Sequence, residues 1–178
     1  MFRIAATGVF LGVALLAGCS TQPKAPAVAD NVRDSLKQAG IKDVSVNQDR
    51  DKGVVTLTGN VPTQSEKMQA QQIAQSAAGN QVVANEVAVV PPGNSGDAKT
   101  FNSDLDKGIN NNLDAALISG GFRSGIHHSV KNGVVTLTGS VDNESERQQV
   151  QTIAQNVPNA QQVVNELQTK HERATTNN

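Results

Sequence analysis

The chain has no tryptophan, no tyrosine, only four phenylalanines and a single cysteine in 178 residues. With so few rings there is little on which nucleic-acid bases could stack. Fifteen Lys and Arg against sixteen Asp and Glu leave no basic surplus for a phosphate backbone. Nucleic acid is therefore excluded as a partner. One cysteine makes no internal disulfide. Of the three histidines, His127 and His128 are neighbours in a strand-like run and point to opposite faces, while His171 lies in a polar tail, so no metal site and no cofactor are expected. No Ser-His-Asp or Cys-His pattern recurs, and no enzyme is expected. Cores must be assembled from Val, Ile, Leu and Ala.

What the chain does have is a repeat. Gly53-Val54-Val55-Thr56-Leu57-Thr58-Gly59 returns unchanged as Gly133-Val134-Val135-Thr136-Leu137-Thr138-Gly139, and 19 of 34 positions match between 53–86 and 133–166. Two copies are too few for a solenoid, so two self-contained domains are expected.

In each copy the patterning predicts α-β-β-α-β. Val32, Leu36 and Ala39 keep a helical period up to Gly40. Leu105, Ile109, Leu113 and Leu117 do the same in copy 2, with Ser103 as the expected N-cap. Hairpins follow, turning at Asp49–Gly53 and at Lys131-Asn132-Gly133; Asn-Gly between alternating apolar runs is a strong hairpin signal. The repeated run is the second strand, with Gly59 and Gly139 expected at its end. Thr63 and Asn143, each followed three residues later by Glu, read as helix starts. A last strand is expected over Val82–Val90 and Gln162–Gln168. The fold class is α+β, with two helices on one face of a small three-stranded mixed sheet. The other sheet face is left for solvent or the sister domain.

The N-terminus reads differently. Arg3, the short apolar run Ile4–Ala17 and Leu16-Ala17-Gly18-Cys19 resemble a bacterial lipoprotein signal, in which the cysteine is lipidated after cleavage. The resemblance implies a signal over 1–18 and palmitate-type acylation at Cys19. Ser20 implies an outer-membrane rather than inner-membrane destination. The expected layout is then a tether over 19–28, domain 1 over 29–90, a linker over 91–102, domain 2 over 103–169 and a polar tail over 170–178.

The run Gly-x-Val-x-Leu-x-Gly-x-Val (Gly53, Val55, Leu57, Gly59, and Gly133, Val135, Leu137, Gly139, with Val61 and Val141) resembles the signature of the BON domain, named for bacterial osmotically induced and nodulation proteins. The Val-x-Asn strands at Asn85 and Asn165 fit it as well. Two such domains behind a lipoprotein signal resemble the dual-BON outer-membrane lipoproteins of Gram-negative bacteria. That resemblance implies a non-enzymatic, periplasm-facing envelope protein linked to stress tolerance. It implies phospholipid binding by the second domain through its first helix and hairpin loop. Here those positions are Leu105, Ile109, Asn112, Phe122, Arg123, His127, Lys131 and Asn132. The membrane is the expected partner, and an envelope protein the alternative. Against lipid stands the charge: copy 2 carries four basic and seven acidic residues over 103–168, and copy 1 six and seven over 30–90.

Several of these residues have plainer roles. The repeated glycines bracket a strand and open no phosphate loop. Ser65-Glu66 and Ser145-Glu146 are helix starts. Asn85 and Asn165 are expected to satisfy buried backbone groups near a helix. Phe122 is placed either to insert into lipid or to fill the core where copy 1 has Ile41, and the core is favoured.

Overall fold

A computed structural model describes residues 23–170 except Asn94 and Arg123. Copy 1 runs α1 (Ala29–Gln38), β1 (Val44–Asp49), β2 (Val54–Val61), α2 (Gln64–Ala78), β3 (Val82–Asn85) and β4 (Ala88–Val89). Copy 2 repeats the order as α3 (Ser95–Ser119), β5 (Ile126–Lys131), β6 (Val134–Val141), α4 (Glu144–Gln155), β7 (Gln162–Asn165) and β8 (Gln168–Thr169). In each sheet the repeated segment is the central strand. β2 pairs antiparallel with β1 and parallel with β3 and β4, and β6 does the same with β5, β7 and β8.

Alternation on the central strand divides the core. Val55, Leu57 and Val61 face α1 and α2, joining Val32, Leu36, Ala70 and Ala74. Val135, Leu137 and Val141 join Ile109, Leu113, Val150 and Ala154 in copy 2. The opposite faces meet each other: Val54 and Ala84 of copy 1 are buried with Val134 and Val164 of copy 2. The sheet face left open by the patterning is thus covered by the sister domain.

The helix starts follow their side chains. The Thr63 hydroxyl accepts the Glu66 N–H at 3.2 Å, and the Asn143 side chain accepts the Glu146 N–H at 3.0 Å. Each satisfies one of the N–H groups a helix start leaves open. α1 lacks such a residue at Val28 and borrows one. The Gln48 side-chain oxygen accepts the N–H groups of Val28 and Ala29 at 3.0 and 3.3 Å.

Five expectations are corrected. The last strand of each copy is broken in two, because the Asn85 and Asn165 side chains turn inward. Asn85 donates to the Lys67 carbonyl at 2.9 Å and Asn165 to Gln151 at 3.0 Å, while the N–H groups of Val87 and Leu167 return to the two asparagines. Gly59 and Gly139 lie within their strands, opposite Val44 and Ile126. The helix expected from Ser103 starts at Ser95, so most of the expected linker is helical. Nothing in 95–102 stops a helix, and the Asn102 side chain holds that segment to the Val89 carbonyl at 3.5 Å. Ala39 is exposed beyond the end of α1. The tether is docked from Lys24 onward. Ala25 donates to the Arg50 carbonyl at 2.8 Å, and the Pro26 carbonyl accepts from Gln81 at 2.9 Å.

Candidate functional site

The copy 2 hairpin tip lies at the junction of the two domains. Asn132 takes a left-handed conformation (φ 49°) followed by Gly133 (φ 81°), as an Asn-Gly turn requires. This aims the N–H groups of both residues at the Asp106 carboxylate on α3, at 2.7 and 2.9 Å. The Asn132 side chain donates to the Glu86 carbonyl of copy 1 at 2.8 Å, and the Asn132 backbone carbonyl accepts from the Lys67 ammonium at 2.9 Å. Lys67 is only 6% exposed. Burial pulls its pKa below the ordinary lysine value, and the nearby Asp106 charge offsets part of that fall.

Ion pairs flank this knot almost symmetrically. Lys131 meets Glu86 at 2.9 Å, and Lys52 meets Glu166 at 2.6 Å. The hydrogen bond and charge of Glu166 raise the Lys52 pKa. Gln162 adds a crossing contact: its side chain accepts the Asn85 N–H at 3.0 Å and donates to the Val83 carbonyl. Two depressions open beside the knot. One of about 530 Å³ lies between α3 and the β5–β6 turn, and one of about 460 Å³ between α2, α3 and the same turn.

The positions singled out from sequence do not form one surface. Ile109 is core. Leu105 and Phe122 are partly buried against that core, so Phe122 takes the favoured role. Asn112 and His127 are exposed. Lys131 and Asn132 are engaged in the domain seam. His128 faces the other way from His127 and sits 3.4 Å from Asp114. Cys19 and Arg123 lie outside the described residues.

Sequence reading missed Lys67, Asp106, Glu86 and Phe101. Lys67 did carry a signal, since with Ala70, Ala74 and Ala78 it falls on the inward stripe of α2. Phe101, 68% exposed, falls within the stretch 91–102 whose composition reads as linker. Among the described residues no cluster of three or more metal-ligating side chains occurs, and no helix is long and apolar enough to cross a membrane.

The profile of the BON domain matches residues 25–91 and again 104–171. The chain belongs to the BON-domain family. The first match begins just before α1 and the second inside α3, and each ends just after the second short parallel strand of its copy. The chain is 28% identical over 132 residues to the osmotically-inducible protein Y of Escherichia coli strain K12, covering 73% of this chain and 64% of that one. It is also similar to two solved structures of CdsD, a structural protein of the type III secretion system of Chlamydia trachomatis. One, of the C-terminal domain, is 19% identical with a TM-score of 0.30, covering 79% of this chain and 64% of that one. The other is 16% identical with a TM-score of 0.36, covering 82% and 94%. Both are loose overlaps.

Proposed function

We propose that the chain is a non-enzymatic envelope protein, held at the outer membrane by acyl chains on Cys19, whose second BON domain meets the phospholipid surface through α3. The stress-linked part of this reading draws on the osmotically-inducible relative. The membrane part rests chiefly on one observation. Of the four large apolar side chains left exposed among the described residues, Phe101 and Ile118 both belong to α3. The hairpin tip, by contrast, is spent on the domain seam and contributes little to the surface.

The reading is tested with the Cys19→Ala chain, so that the anchor does not mask surface affinity. Anionic micelles should shift the amide resonances of α3, and Phe101→Ser should weaken the effect several-fold. Unmoved resonances over 95–119 would overturn lipid contact. The acidic balance of copy 2 favours a second reading, an interaction module for a basic envelope protein. A partner that crosslinks to α3 and survives delipidation would support that alternative.

A further inference from the structure

We infer that the cleft between the domains, walled by Lys67, Val89, Ala98, Phe101, Leu105 and Gln161, binds one small amphipathic anion, a carboxylate or phosphate head on a short apolar body. The inference shares Phe101 with the membrane reading but does not rest on it. Its volume of about 460 Å³ falls within the size of small-molecule sites, which are mostly apolar with a few placed polar groups.

Lys67 sets the charge of the head group. An ammonium carries three donors. Among the described residues one is used, on the Asn132 carbonyl at 2.9 Å. Asp106 is near enough to act on the charge, but its two oxygens already accept the N–H groups of Asn132 and Gly133. No carboxylate among the described residues forms an ion pair with Lys67. A buried cation with unused donors and no contacting counter-charge is costly, and an anion entering the cleft would supply both.

The apolar body is matched by the apolar part of the lining. Val89, Ala98 and Leu105 are partly buried there, and Phe101 leaves a ring exposed at the rim. Asp97 also borders the cleft, in the exposed first turn of α3. Asp106 borders it as well, beside Lys67, but its oxygens are already held by the Asn132 and Gly133 N–H groups, so the head is disfavoured most at the Asp97 end.

The site occurs once although the fold occurs twice. Arg147 holds the position of Lys67 in copy 2, but it is partly exposed and paired with Glu144 at 3.3 Å. Ala98, Phe101 and Leu105 of its apolar wall come from residues 95–109, the turns by which α3 outruns α1.

The chain lacks tryptophan, so Phe101→Trp makes a single reporter in the full-length protein, held in phosphatidylcholine nanodiscs. Titration with octanoate and with octyl phosphate should each give a saturable emission shift. Octanol, which lacks the charge, and inorganic phosphate, which lacks the chain, should give none at the same concentrations. Adding Lys67→Met should weaken octanoate at least tenfold. Ala98→Phe fills the cleft, leaves Lys67 intact and should do the same, and it decides the matter if the Lys67 variant does not fold. A saturable response to octanol would overturn the proposal, as would octanoate affinity retained in the folded variants. Competition by inorganic phosphate alone would overturn its amphipathic part.

Discussion

Gly59 and Gly139 show how a single residue constrains each domain. A Cβ built on either would stand 2.1 Å from a backbone oxygen of the preceding loop, that of Asp43 or Gly125. Both also take positive φ, 120° and 112°. Gly139→Ala should therefore lower the stability of domain 2 by roughly 2 kcal/mol or more, read by thermal unfolding. Gly108 lies inside α3 with open space around its Cα and no positive φ. Gly108→Ala should act in the opposite sense, stabilising by about 0.5–1 kcal/mol. Lys67 gives a second prediction. Its folded pKa is lowered, so between that value and 10.5 the unfolded chain binds the extra proton, and stability rises with pH across that window. Lys52 has the opposite sign: its pKa is raised, so its contribution is full below 10.5 and is lost as pH climbs through the raised value. Denaturant midpoints should show the first rise in the wild type and not in Lys67→Met. The later loss should be absent from Lys52→Met.

At the level of elements, strong periods were legible and borrowed interactions were not. The central strands announced themselves through alternation between glycines, and the starts of α2 and α4 through their caps. The cap of α1 was hidden because it comes from Gln48, on a strand that reaches it only after folding. Gln48→Ala should cost about 1 kcal/mol, measurable by urea unfolding and by faster amide exchange in the first turn of α1. The break in each last strand was equally silent, since Asn85 and Asn165 stand in runs whose composition is otherwise that of an uninterrupted strand. The early start of α3 was obscured by composition. The segment following Pro91-Pro92-Gly93 looks like linker, and its helix is held to copy 1 by the Asn102–Val89 contact. The candidate site suffered most, because its parts come from α2, α3 and a turn that meet only across the seam.

At the scale of the whole molecule, the two domains share a buried apolar patch and two crossing ion pairs. Val134→Asp would set a carboxylate among Val54, Ala84 and Val164. It should separate the domains, increasing the radius of gyration in small-angle scattering while each domain keeps its own helices and sheet. Exposed ion pairs alone contribute little, so Lys52→Met should leave the radius unchanged. The docking of residues 24–28 against the β1–β2 turn has its own effect on placement. If Cys19 is the anchored residue, as proposed, only six peptide steps separate it from the bonded Ala25, a reach of at most about 20 Å. The protein is then moored on a short line fastened beside its own waist, and it surveys a shallow disc of membrane rather than the depth of the periplasm.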